Sequence, residues 1–261
     1  MAAGGIGAGT FLVSALTGSV PGMVIGFALT AVVKGILLLF DLGRPERVWR
    51  VFSKPGESWI ARGSWAFAAF CGAGGLATLG ALTGMTGPLM ALLLAVAALA
   101  SVVLLVYDGF FLNASAGVAG WRSSVLPFLF ASNATATGAA LTAALMANPP
   151  AGLMWTAAGL FAAAAGLGYG YLSDLRHGLK SARVTEHELS KGAQAIDFQV
   201  GAGIVGAVVP AAAAALAASG AMPIAIVKAA ALGAAGVYFS RKAVLKAGVH
   251  APVLSTRQVN R

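Results

Sequence analysis

Long apolar runs separated by short polar stretches set the pattern of this chain. Runs of the length a helix needs to cross a bilayer, about 20 residues, recur at about 2–18, 21–40, 59–82, 87–107, 124–147, 151–173, 198–218 and 221–241. They are rich in Ala, Leu and Gly and do not alternate. In lipid every backbone polar group must be paired, which leaves helices or a closed barrel; without alternation the runs predict helices. The first is short, as for a tilted or partly exposed span. Pro21, Pro88, Pro149–Pro150 and Pro223 fall near predicted helix starts, where a missing N–H is tolerated. Pro210 lies inside the seventh run and predicts a kink. The expected fold is an all-α integral membrane protein, eight transmembrane helices in a bundle, forming a single membrane domain over 1–261.

Composition agrees. Hydrophobic residues make up 59% and charged residues 10%, against roughly 25% charged in soluble domains. The net charge of +9 does not call for nucleic acid, because the basic residues sit beside apolar spans, where Lys and Arg set topology. Lys34 and Lys228 lie well inside spans; the other cations gather in and beside the second, fourth and sixth loops and the C-terminus. The first, third, fifth and seventh loops carry no ionisable residue. Charged segments 41–58, 108–123 and 174–197 and the tail 242–261 therefore share one side, with both termini. The positive-inside rule makes that side cytoplasmic. This asymmetry is the main support for eight spans. Segment 174–197 mixes both signs and predicts a short surface helix. The start, Met1-Ala2-Ala3-Gly4-Gly5, has no basic region of the kind a cleavable signal peptide needs.

Several chemistries are excluded. His177, His187 and His250 all fall in loops or the tail, so no pair stands at membrane depth to ligate haem. Cys71 is the lone cysteine and cannot hold an iron–sulfur cluster by itself. No cluster has metal-ligand spacing. The run Gly4-Gly5-Ile6-Gly7-Ala8-Gly9 follows no strand, so it is not a dinucleotide fingerprint; Gly5 and Gly9 read as a helix-packing pair.

Polar groups near the charged side remain. Asp41, Asp108 and Asp174 stand at the ends of spans two, four and six, where a carboxylate opposes the helix dipole and wants a cation or a proton. Arg44 is the candidate partner of Asp41, and Arg176 of Asp174. Such pairs are commonly plain interfacial ion pairs; the alternative is proton delivery to a ligand beneath that face. Lys34 sits near a helix centre, which costs roughly 2.5–3.5 kcal/mol. It lies about 10 Å before Asp41 on the same face, within reach of a water link, unless it snorkels to the charged side. Lys228, near the uncharged end of span eight, reads as snorkelling. Tyr107 can donate to a ligand carbonyl, with Asp108 beside it to resupply the proton; an aromatic belt is the competing reading. Trp49, Trp59, Trp65 and Trp121 read mainly as that belt.

The stretch Asp41-Leu42-Gly43-Arg44-Pro45-Glu46-Arg47-Val48-Trp49-Arg50, with Ser58-Trp59 and Gly63-Ser64-Trp65-Ala66, resembles the NrfD-like membrane-anchor family. That family includes the polysulfide reductase anchor and is related to the DMSO reductase anchor. Weaker matches follow in order: Gly4 to Gly9, Tyr107-Asp108-Gly109-Phe110 with Trp121 and Leu126 to Phe130, Phe198 to Gly203 with Gly206 and Pro210, and Arg241 to Gly248 with Pro252. The resemblance implies eight helices with no haem or metal of their own. It implies a quinone (ubiquinone or menaquinone) bound near a face covered by two partners. These are a four-cluster ferredoxin-like iron–sulfur subunit and a molybdopterin catalytic subunit.

Family members carry polar quinone contacts ahead of the Gly-rich first helix. Without them at Met1-Ala2-Ala3, that half of the site is expected to be absent or to be rebuilt from Tyr107, Asp41 and Lys34, with Arg44 and Trp65 in the matching motif and Asp108 in the proton supply. The charge rule adds a docking face on the cytoplasmic side of a bacterial or archaeal inner membrane. The competing expectations are a small secondary transporter or channel, which would show broken helices in inverted repeats, and a structural anchor without a quinone site.

Overall fold

The computed structural model describes residues 1–41, 49, 51–52, 56, 58–115 and 117–248. Among these the chain is helical and holds no β-strand. The helices are α1 Ala2–Thr17, α2 Val20–Phe40, α3 Trp59–Leu82, α4 Pro88–Asn113, α5 Leu126–Leu145, α6 Ala151–His177, α7 Lys180–Ser190, α8 Ile196–Ala218 and α9 Ala225–Ala247. Six of them, α2 to α6 and α8, are long and apolar enough to cross a membrane.

The other two long apolar runs fall short for different reasons. Helix α1 has 16 residues, about 24 Å of rise. Helix α9 has 23 residues but carries Lys228, Arg241, Lys242 and Lys246. The short surface helix expected between 174 and 197 is α7, which covers α6 at the ion-rich end.

Local sequence explains how the elements begin and end. Pro88 and Pro127 occupy first-turn positions, where no intrahelical N–H is needed. Gly18, at φ 72°, closes α1 in the left-handed conformation, which glycine adopts without a Cβ penalty. Pro210 follows a π-wound stretch, Ile196–Val208. A proline there lacks the N–H that an α-helical ladder would use, and the wider winding absorbs the defect. Further π-wound stretches lie in α2 at Ala28–Val33 and in α3 at Phe70–Gly74.

The helices form two groups of four. Helices α1 to α4 enclose Phe11, Phe70 and Leu104. Helices α5, α6, α8 and α9 enclose an alanine-rich core around Phe161, with a second core around Phe130, Tyr171 and Phe198 towards the ion-rich end. Helix α1 joins the groups by packing on α5, where Gly138 lies against the backbone of Gly9. With water absent from both states, such helices associate by close packing rather than by the hydrophobic effect. The glycine-rich start of α1 serves that contact on both sides: a Cβ on Gly7 would lie 2.8 Å from the Gly26 carbonyl of α2. Gly206 and Gly236 bring α8 and α9 together in the same way.

Candidate functional site

Four helices meet below the ion-rich face. The N-terminus of α1 brings only Gly4 and Gly5. The space their missing side chains leave is filled by Lys34 of α2 and Arg241 of α9: a Cβ on Gly4 would strike the Lys34 stem, and one on Gly5 would lie 2.6 Å from Arg241 Nη2. Helix α4 supplies Asp108 between them. Lys34 Nζ is 4.0 Å from Asp108 Oδ1, and Arg241 Nε is 3.6 Å from Asp108 Oδ2. All three are buried, with Asp108 at 1% exposure and Arg241 at 3%.

Two cations thus share one carboxylate in an apolar bundle, an excess of one positive charge among the described residues. The partnering is also incomplete. Asp108 Oδ2, Arg241 Nε and Arg241 Nη2 make no hydrogen bond. The Arg241 guanidinium is held instead over the Phe130 ring, 4.7 Å from its centroid, a cation–π contact that strengthens when water is excluded.

Tyr107, the neighbour of Asp108 on α4, presents its ring to Lys34, whose Nζ lies 5.5 Å from the centroid. The ring packs on Gly63 of α3, where any Cβ would strike it. Its hydroxyl makes no hydrogen bond to a described residue.

Of the residues singled out from sequence, Lys34, Tyr107 and Asp108 come together. Lys34 is 6% exposed and takes Asp108 as its partner across the helix packing; it does not snorkel. The helical backbone continues one residue beyond α2 to Asp41, whose side chain, like all of Arg44, lies outside the described residues. Trp65 is 53% exposed. Its indole N–H donates to the Phe52 carbonyl at 3.2 Å, and its ring meets Phe52 edge-on at 5.4 Å, so it holds Phe52 against α3.

Three expectations are corrected. Asp108 does not end a span at an interface: α4 runs on to Asn113, because two cations from other helices meet the carboxylate inside the bundle. Arg176 pairs with Glu186 of α7 at 2.8 Å rather than with Asp174. Trp121 is no belt residue: it donates to the Val244 carbonyl at 2.9 Å and lies against Gly248, so it fastens the end of α9.

Arg241 was missed as a site residue, since it reads as part of a basic C-terminal exit. A signal was present. Gly233, Gly236, Val237, Ser240, Arg241 and Val244 follow helical spacing and are all buried, so Arg241 falls on the packed stripe and Lys242 beside it. Among the described residues no three His, Cys, Asp or Glu side chains gather as a metal site would require. No family model matches the chain, and no characterised protein matches it either.

Proposed function

We propose that the chain is the quinone-reactive membrane anchor of a molybdopterin/iron–sulfur oxidoreductase, in the manner of the NrfD-like anchors it resembles. The observation that carries this reading is the buried Lys34–Asp108–Arg241 cluster beneath the ion-rich face, with Tyr107 against it. An ionisable group inside a membrane bundle marks a ligand or proton route by default. Excess positive charge favours negative charge arriving beside it, as happens when an electron acceptor is reduced faster than it is protonated.

A bound quinone would supply a carrier of two electrons and two protons. The Tyr107 hydroxyl is the donor suited to one of its carbonyls. Lys34, touching both the Tyr107 ring and Asp108, is placed to hold a proton between them. Arg241, 3.6 Å from the second carboxylate oxygen, holds Asp108 in place beside them. Asp41 and Arg44 belong to this reading as the entry of protons from the 41–50 stretch.

The same reading takes α1 and α9 as spans, giving eight. Helix α1 lies among α2, α4, α5 and α9, so its short length faces protein more than lipid. The cations of α9 are provided for: Arg241 in the cluster, Lys242 with Asp197 at 2.7 Å, Lys246 in the last turn and Lys228 exposed, free to snorkel. Both termini and the charged loops then face the cytoplasm of a bacterial or archaeal cell. There they form the docking surface for a four-cluster iron–sulfur subunit and its molybdopterin partner. A transporter reading would ask for helices unwound at mid-span; α2, α3 and α8 instead stay helical through their π-wound stretches.

The test is to tag the full-length chain in its own cells, purify it in mild detergent and measure iron, acid-labile sulfide and molybdenum together with quinol oxidation or quinone reduction. The expected result is stoichiometric iron and molybdenum proteins with quinone-linked turnover. A chain that purifies without either metal overturns the reading.

A further inference from the structure

A cleft between α6 and α8 lies apart from the Tyr107 side of the cluster. Its volume is about 340 Å³, far above the roughly 10–15 Å³ that one water requires. Its outer end carries Arg176, Ser190 and Gln199; its inner end is closed by Asn133 of α5 and Ser240 of α9. Along α6 the lining runs from Ala164 to Arg176, a rise of roughly 18 Å. The passage stays open because glycines line both walls. A Cβ on Gly168 would meet nothing within 4 Å, and one on Gly203 only the Phe198 carbonyl at 3.6 Å.

The inner end is unsuited to hydrocarbon. Asn133 is 2% exposed, and its amide oxygen has no hydrogen-bond partner. An unpaired amide against an acyl chain is costly, whereas a bridging water satisfies it for little more than its own ordering. The Ser240 hydroxyl donates to the Val237 carbonyl at 3.1 Å and keeps acceptor capacity for a further partner. The next residue is Arg241. Groups that need partners therefore collect where the cleft stops, and polar side chains mark the way in.

We propose that this cleft is a water-filled inlet leading from the ion-rich face to the Asn133–Ser240 end, bringing solvent to the residue beside Arg241. Its use as a proton supply to Asp108 rests on the quinone reading; the presence of water does not. The competing occupant of a gap between two lipid-facing helices is an acyl chain.

Thiol chemistry separates the two, because methanethiosulfonates react with thiolates and a thiol in hydrocarbon stays protonated. The full-length chain carrying Cys71→Ser is placed in lipid nanodiscs with Ala165→Cys or, separately, Gly203→Cys, one on each wall. Leu99→Cys, whose native side chain on α4 is 69% exposed, gives the lipid-facing reference. Each is treated with the water-soluble anion sulfonatoethyl methanethiosulfonate and followed by mass. The inlet predicts modification at least tenfold faster than the reference at one or both cleft positions. Reference-like rates at both mean an acyl chain fills the cleft, and overturn the proposal. Turnover does not enter the readout, so the inlet and the quinone reading fail separately.

Discussion

Arg241 Nε stands 3.6 Å from Asp108 Oδ2, with both residues almost wholly closed to solvent. The pair joins α4 of the first helix group to α9 of the second. Among the described residues Lys34, 4.0 Å from the other carboxylate oxygen, shares the contact. Removing the carboxylate leaves two cations facing each other in an apolar setting. Asp108→Asn should therefore cost about 3–5 kcal/mol, the usual penalty for orphaning a buried charge, and lower the thermal midpoint in detergent. Asp108→Asn with Arg241→Met should recover part of that loss, since taking out both partners removes the orphan. A double variant no more stable than the single one would mean that the pair is not what holds the helices.

The joint between the two helix groups predicts a different sensitivity. A Cβ on Gly138 would lie 2.7 Å from the Gly9 carbonyl oxygen, with nearer backbone atoms beside it. Backbone cannot step aside as a side chain can, so Gly138→Ala should destabilise by about 1–3 kcal/mol, the range of overpacked cores. Gly166 in α6 has nothing within 4 Å of its virtual Cβ. Gly166→Ala should instead be neutral, or stabilising by up to about 1 kcal/mol, because alanine is the better helix former. Thermal unfolding of the two variants side by side checks the contrast.

The helices were legible because their signal is length and apolarity, which packing does not alter. Charge clustering marked the correct end of the bundle for Lys34, Tyr107 and Asp108. It failed at partners. A run of hydropathy stops at Asp108 because a charge ends the count, yet the helix continues once cations from α2 and α9 meet that charge. Arg241 shows the same blindness from the other side: beside Lys242 and Lys246 it reads as a basic exit, and only the buried stripe of α9 sets it apart. Arg176 was matched to its neighbour Asp174, but α7 folds back over α6 and offers Glu186. The gap between α6 and α8 had no sequence signature, since glycine and alanine line closed and open helix pairs alike.

At the site, Tyr107 and Lys34 separate chemistry from architecture. The Tyr107 ring fills the notch at Gly63, a role phenylalanine keeps, so Tyr107→Phe should leave the complex assembled. On the quinone-anchor reading, loss of the hydroxyl should slow quinone turnover by about 10²-fold or more, the usual worth of a positioned proton donor. Lys34→Met retains most of the stem that packs on Gly4 but removes the ammonium, and should slow turnover with the thermal midpoint held or raised. Steady-state turnover and thermal unfolding of each purified complex are the two readouts. Turnover unchanged in Tyr107→Phe would remove that hydroxyl from the site.

Orientation can be settled without any activity. The N-terminus of α1 sits beside Lys34 and Arg241, and Trp121 ties the segment after α4 to the end of α9. Helix α7 folds over the same end, with Thr185 against Gly120. The described cation-rich segments, those following α4 and α6 and the end of α9, therefore lie together at one end of the bundle. Cations next to spans are retained on the cytoplasmic side during insertion. A green fluorescent protein fused after Arg261 should fluoresce, and alkaline phosphatase fused at the same point should be inactive. Phosphatase fused between Pro149 and Pro150, in the uncharged connection from α5 to α6, should be active. The reverse pattern would place the cluster outside the cytoplasm, and on the quinone-anchor reading the partners would then be exported proteins.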